Sequence, residues 1–357
     1  MTPLLEARGV VKHFPVRRGL FGGPQKVVRA VDDVSFVIEP GATLGLVGES
    51  GCGKTTTAKL VLLLERPTAG EIRFDGESLA TLDAEGLRRY RHSVQAVFQD
   101  PYASLNPRMR VDSIIAEPLV TNERLSAVEL GERLRKVLDL VGLPARSAKL
   151  FPHEFSGGQR QRIAIARALT LSPRLIVLDE PVSALDVSIR AQILNLLKDL
   201  QRELGLAYLF IAHDLAAVAH MSHVIAVMYL GRVVETGAAR MVARQPRHPY
   251  TKALFAAALP SHPDDSRDDV VLAGDVPSPL DPPSGCRFHT RCPQVMPHCS
   301  TDEPKLACVD GRDVACHLYD PAEIAQPPSR DDASRRETRR QPEEKVSDPS
   351  SATSSTS

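Results

Sequence analysis

No charge of one sign prevails in this chain of 357 residues: Lys+Arg and Asp+Glu are both 44, giving a formal charge of zero. A whole-chain basic field is therefore missing, and with it the usual electrostatic argument for nucleic acid as a partner. Long apolar runs are missing too. Runs such as Leu60 to Leu64 and Ala207 to Ala212 fall far short of the roughly 18 to 20 residues that a membrane-spanning helix needs. The opening segment MTPLLEARGVVKHF has no basic stretch leading into an apolar one and a small-residue cleavage site, so the expectation is a chain that is not exported. No internal repeat is visible. What remains, at 43% hydrophobic residues, is enough apolar material for one large globular domain and a small second one.

Three short apolar runs carry the chemistry at their ends. Thr43 to Gly48 leads into a glycine-rich segment and the helix-compatible stretch Lys54 to Leu64, a strand, loop and helix in sequence. The loop, Gly48-Glu49-Ser50-Gly51-Cys52-Gly53-Lys54-Thr55 followed by Thr56, matches G-x-x-x-x-G-K-[ST]. Its glycines let successive backbone N–H groups turn inward to cradle phosphate. Lys54 is placed to reach the outer phosphates and Thr55 to ligate Mg2+, at a helix start whose dipole also attracts the anion. The second run, Leu175 to Leu178, ends in Asp179-Glu180, and the third, Tyr208 to Ala212, ends in His213-Asp214. Unbroken apolar runs of this kind are central strands of a parallel sheet covered on both faces. An acidic pair at a strand end is ordinarily just a solvated edge. Its place after LIVL and before Pro181 makes Asp179 a candidate for holding Mg2+ and Glu180 a candidate for activating water.

Ser156-Gly157-Gly158-Gln159 precedes the helix-like run Arg160 to Leu169. A serine cap and two glycines at a helix start make a second place where N–H groups face an anion, although an ordinary capped helix reads the same way. Between the first two strands, Gly86 to Leu171 is rich in Leu, Arg and Glu at helical spacing, and the expectation is a mostly helical insertion. Val224 to Gly237 predicts two strands around a Leu230-Gly231 turn. These features divide the chain into residues 1–260, then an acidic and Pro-rich linker with a Cys-rich segment over 261–320, and a Ser-, Arg- and Glu-rich tail over 321–357. The tail lacks the apolar surface to offset its ordering entropy and is expected to be disordered.

Taken in order and separation, these segments resemble the ATPase subunits of the ABC family over residues 4 to 240. The resemblance implies an α/β fold, a P-loop NTPase (RecA-like) core with an antiparallel β subdomain and a helical signature subdomain. It identifies Gly48 to Thr55 with the Walker A loop, Gln99 with the Q-loop glutamine, and Ser156 to Gln159 with the signature motif. Asp179 and Glu180 match the Walker B aspartate and catalytic glutamate, Ser183 to Asp186 the D-loop, and His213 the switch histidine, while Phe14 stands where an aromatic stacks on adenine. Phe155 departs from the family, which usually has leucine before SGGQ, but stays apolar. In that family two subunits meet head to tail, each ATP lying between the phosphate loop of one and the signature of the other. Gln99 would reach both metal and water, and His213 the γ-phosphate.

Three further segments resemble the oligopeptide/dipeptide and nickel importer branch: Asp100 to Arg108, His248 to Leu254 and Gly285 to His289. The basic insertion VRRGLFGG also resembles one of the two paired ATPases of these importers, or is simply a charged surface loop. The resemblance implies an ATP-hydrolysing subunit on the cytoplasmic face of the cell membrane. It would work with two multi-span permease subunits and a paralogous or identical ATPase, and indirectly with an extracytoplasmic binding protein. The cargo stays open between peptides, nickel chelates, glutathione and other small solutes, and a soluble ABC ATPase outside transport is the competing class. Cys286, Cys292, Cys299 and Cys316, with Cys308 besides, lie close in sequence. In a chain without an export signal such clustering reads as metal ligation or free thiols before disulfides. An iron–sulfur cluster of the four-iron type or zinc is the expectation there, with reduced structural thiols as the alternative.

Overall fold

The computed structural model describes residues 2–16, 26–99, 104–258 and 274–320. The chain starts with two antiparallel strands, β1 (Leu5–Pro15) and β2 (Val27–Ile38), then runs through β3 (Thr43–Val47) and α1 (Lys54–Val61). It continues with β4 (Ala69–Phe74), β5 (Glu77–Ser78), α2 (Ala84–Ser93) and β6 (Val94–Val97). Three helices follow, α3 (Val111–Asn122), α4 (Ala127–Leu140) and α5 (Gly157–Leu169). Alternation then resumes: β7 (Leu175–Asp179), α6 (Val187–Leu204), β8 (Ala207–Ile211), α7 (Leu215–Met221), β9 (Val224–Tyr229) and β10 (Arg232–Ala238). Helices α8 (Ala239–Arg244) and α9 (Pro249–Ala258) and a last hairpin, β11 (Ala307–Val309) and β12 (Arg312–Val314), complete the described elements. A 3-10 turn, His317–Tyr319, lies in a separate unit that begins at His317.

Two sheets form. One is antiparallel in the order β2-β1-β4-β5; the other has the order β11-β12-β10-β9-β3-β8-β7-β6 and is parallel from β9 to β6. Strands β3, β7 and β8 are buried at every position, as runs apolar on both faces require. Successive side chains of a strand point to opposite faces, and here they divide between two cores. Tyr208 and Phe210 of β8 pack with helix residues such as Ile163, Leu197 and Val218, whereas Ala207, Leu209 and Ile211 pack with Val31, Ile38 and Phe74 of the antiparallel sheet. The parallel sheet is thus the middle layer. Its strands β3, β7 and β8 end at one edge, where α/β folds bind ligands. Pairing of Asp179 with Ile211 and of Leu46 with Ile211 sets the ends of β7, β8 and β3 side by side there.

The expected helical insertion over 86–171 needs one correction. Val94–Val97 leaves the helical segment to pair in parallel with β7, Val94 against Leu175 and Val97 against Leu178. Four residues behind a helix carry too little alternation to signal a strand; pairing with β7 makes them one. The first phosphate-loop helix also stops at Val61, short of Leu64, because Leu63 turns left-handed (φ 54°). At the other end, β12 pairs with β10 through Glu235–Val314 and Thr236–Asp313, so the Cys-rich segment extends the edge of the main sheet. Among the described residues no helix is long and apolar enough to cross a membrane. Residues 17–25, which hold all of the basic insertion but Val16, residues 100–103, most of the linker and the tail at 321–357 lie outside the described residues.

Candidate active site

The loop from Gly48 to Thr55 leaves β3 and enters α1 with its backbone in conformations that exclude side chains. Gly48 has φ 150° and Gly53, the N-cap of α1, has φ 113°. A Cβ on Gly48 would lie 2.2 Å from the Met228 carbonyl oxygen, and one on Gly53 2.2 Å from that of Ala30. Glycine at both positions is therefore a steric requirement. Lys54 is buried, and its Nζ donates to the carbonyls of Gly48 (2.7 Å) and Glu49 (3.0 Å). The ammonium closes the loop on itself and sits where an anion cradled by the loop would meet it. The Cys52 carbonyl accepts from Gly231 N–H (2.9 Å), tying the loop to the β9–β10 turn.

Asp179 ends β7 just below this loop. Burial first, and then the adjacent Glu180 charge, hold its carboxyl above the usual carboxylate range, while a hydrogen bond from Thr55 and the Lys54 charge work the other way. Its Oδ1 is buried and, among the described residues, has no hydrogen-bond partner. An orphaned carboxylate oxygen beside a threonine hydroxyl at the phosphate loop is a hard-oxygen donor set that fits Mg2+. Glu180 follows in the left-handed region (φ 53°), which costs roughly 1–3 kcal/mol for a non-glycine residue and re-aims its side chain at the end of β8. Its N–H donates to the Ile211 carbonyl (2.8 Å), and its Oε2 lies 3.3 Å from Nδ1 of His213, which is itself largely exposed.

A cleft of about 450 Å³ gathers Ser50, Gly51, Gly53, Lys54, Thr55, Thr56, Gln99, Glu180 and His213. Residues that follow four separate strands, β3, β6, β7 and β8, thus converge on one space. Phe14 lies on β1 opposite Val28, which lines the cleft, and Lys12 Nζ stands 4.8 Å from the Phe14 ring centre. Ser156, Gly157, Gly158, Gln159 and Asp186 line no part of this cleft. Ser156 caps α5 in a reciprocal box: Gln159 N–H donates to its hydroxyl (3.3 Å) and its own N–H to the Gln159 side chain (3.0 Å). Both residues are exposed, whereas Phe155 is buried beneath them. A Cβ on Gly158 would meet Ile189 at 2.4 Å, so the start of α5 is held against α6, whose N-cap is the exposed Asp186.

The cysteine expectation meets a different outcome. None of the six cysteines forms a disulfide, and among the described residues no three His, Cys, Asp or Glu side chains are gathered as metal ligands. Metal ligation requires thiolates. Burial pushes the Cys286 thiol up to about 11 and raises that of Cys292 as well, and both pack against the apolar core. As arranged, Cys286, Cys292, Cys299 and Cys316 are not gathered as a ligand set among the described residues, and the iron–sulfur or zinc expectation finds no support.

Four residues at the site carried no sequence signal. Val28, Ala30 and Pro279 line the cleft, and Arg291 forms an ion pair with Glu49. Apolar residues in a strand and a proline in a Pro-rich stretch have no chemistry to announce a role; only the fold brings them here.

Residues 31–183 match the family model described as ABC transporter, and residues 234–299 match that of the oligopeptide/dipeptide transporter C-terminal region. The dipeptide transport ATP-binding protein DppF of Haemophilus influenzae is 50% identical over 320 residues, 89% of this chain and 98% of that relative. The chain belongs to the ABC transporter family. Within it, the oligopeptide transport ATP-binding protein AppF of Bacillus subtilis is also 50% identical over 320 residues, 88% of this chain and 97% of the relative. Among solved ABC structures, cbiO1 of Clostridium perfringens, part of the ABC transporter complex cbiONQ, has a TM-score of 0.59 at 26% identity, covering 69% of this chain and 93% of its own. The ATP-binding cassette MJ0796, seen as a dimer in a post-hydrolysis state with ADP and phosphate, has a TM-score of 0.57 at 29% identity, covering 66% and 99%. The P-loop NTPase cassette and an ATPase activity coupled to transport follow from this membership.

Proposed function

We propose that this chain powers the uptake of di- and oligopeptides by hydrolysing ATP in the cleft between the phosphate loop, the end of β7 and the end of β8. The observation that carries the reading is the convergence of Lys54, Thr55, Gln99, Glu180 and His213 on one cleft. The phosphate loop binds the triphosphate, with Lys54 exchanging its loop carbonyls for phosphate oxygens. Thr55, Asp179 and Gln99 would hold Mg2+, which when bound neutralises phosphate charge. Glu180 accepts the proton of the attacking water as its oxygen bonds to the γ-phosphorus. The bond to the β-phosphate oxygen breaks, its electron pair leaves with ADP, and inorganic phosphate is released. His213, 3.3 Å from Glu180, orients that carboxylate and faces the γ-phosphate.

Because Ser156 and Gln159 are exposed and the Ser156–Gln159 segment lies away from its own cleft, that segment serves the nucleotide of a second cassette, as a paralogue or a second copy. The dimeric ABC neighbour supports that arrangement. The peptide cargo rests on the relatives and on the match at 234–299. Two permease subunits in the membrane would hold the cassette at the cytoplasmic face, and a separate extracytoplasmic protein would deliver the peptide. Glu180→Gln tests the catalytic assignment. ATP binding should stay within about twofold of wild type while turnover falls at least about a hundredfold; near-normal hydrolysis would remove Glu180 from its role. Co-purification of the chain from membranes with two multi-span proteins tests the partners.

A further inference from the structure

The phosphate loop is steadied from outside by the far end of the sequence. Both terminal nitrogens of Arg291 donate to the Glu49 carboxylate, at 2.8 and 3.2 Å, and the arginine side chain is only 6% exposed. Arg291 is placed by the 3-10 turn His289–Arg291, which follows the fully buried Phe288. Phe288 meets Tyr229 edge-on at 5.3 Å and Tyr250 at 5.4 Å. Tyr250 in turn accepts the Glu49 N–H on its hydroxyl at 2.8 Å. The second residue of the loop is therefore gripped at its backbone and at its carboxylate by one packed unit. The same region reaches the cleft again at Pro279, whose carbonyl accepts from Arg29 N–H at 3.1 Å.

The charge arithmetic gives this grip a consequence. Glu49 puts a negative charge in a loop built to receive a polyanion, and the loop's own cation, Lys54, is directed to backbone carbonyls. A nearly buried two-pronged guanidinium is the arrangement that best cancels a carboxylate. We infer that Arg291 is a positioning residue for ATP, neutralising Glu49 and fixing the first turn of the phosphate loop, so that the C-terminal region tunes nucleotide affinity. The inference rests on reading Gly48 to Thr55 as the ATP site.

The test is titration of the full-length chain with a fluorescent ATP analogue. Arg291→Ala should raise Kd about tenfold at low salt, and less at about 1 M salt, where screening is strong. Arg291→Lys, which keeps the charge and loses the fork, should fall between it and wild type. Adding Glu49→Gln to Arg291→Ala should recover most of the lost affinity, since no uncompensated carboxylate then faces the triphosphate. A merely structural role for Arg291 predicts no such recovery. Wild-type affinity in Arg291→Ala, or a loss that Glu49→Gln leaves uncorrected, overturns the inference. If Arg291→Ala does not fold, the same comparison is made between Arg291→Lys and its Glu49→Gln partner. Lys54→Ala serves as the control: wild-type binding there would show that the loop is not the ATP site, a failure of the underlying reading distinct from a failure of the inference.

Discussion

Asp179 shows how a single residue trades stability for chemistry. Its buried carboxyl titrates above the ordinary range, so the fold favours its protonated form. The sign follows from linkage: its contribution to stability is fully present below the unfolded pKa and is lost as pH rises through the folded one. At neutral pH the ionised group is a liability when no cation is bound. Asp179→Asn should therefore raise the melting temperature of the nucleotide-free chain by about 2 °C while abolishing Mg2+-dependent turnover; thermal melts beside an ATPase assay check both. A drop in melting temperature would mean that the carboxylate is paired in the resting fold. The residues most easily singled out from the sequence at this scale, Lys54, Thr55, Asp179 and Glu180, stand in contiguous motifs at strand ends, where backbone geometry and chemistry coincide. Arg291 was not legible, because its partner Glu49 is 242 positions away in the chain and an isolated arginine reads as surface charge.

At the scale of elements, the apolar runs at β3, β7 and β8 announced themselves because both of their faces are buried, and the turn at Leu230-Gly231 did so through its glycine. Strand β6 did not, being four residues long and defined by its neighbour β7. The junction between β10 and α9 was likewise hidden, since it depends on buried polar groups. Glu235 is fully buried and accepts the N–H groups of Arg247 (3.0 Å) and His248 (2.8 Å). His248, fully buried, uses Nδ1 to accept the Tyr250 N–H at 3.1 Å, which requires a neutral ring. Burial, with a smaller contribution from Lys252, pulls its pKa from 6.5 down to about 3. Here the sign is reversed: this contribution is present above the unfolded pKa of 6.5 and is lost as pH falls from there toward 3. Stability should decline by up to about 1.4 kcal/mol per pH unit over that window, and His248→Gln should flatten the decline in urea titrations at pH 7 and 5. An unchanged slope would mean that another group controls acid unfolding.

For the whole molecule, the two cores on either side of the parallel sheet explain how one chain keeps a nucleotide cleft apart from the exposed Ser156 cap of the otherwise largely buried helix α5. The strand ends, tied by β7–β8–β3 pairing, carry the cleft; α5, packed on α6 through Gly158 and Ile189, carries Ser156 to Gln159. The order of these motifs was readable in the sequence, but their separation within one molecule is a property of the fold, and under the proposed function it calls for a second cassette in turnover. The most direct measurement of that claim is a paired assay on Ser156→Arg, with ATP affinity measured on the isolated chain and turnover on the membrane-purified complex. Losing the cap costs α5 about 1 kcal/mol, which a melt registers separately. The account predicts unchanged affinity in the isolated chain and at least about a tenfold loss of turnover in the complex. Weakened ATP binding by the isolated chain, or wild-type turnover in the complex, would contradict it.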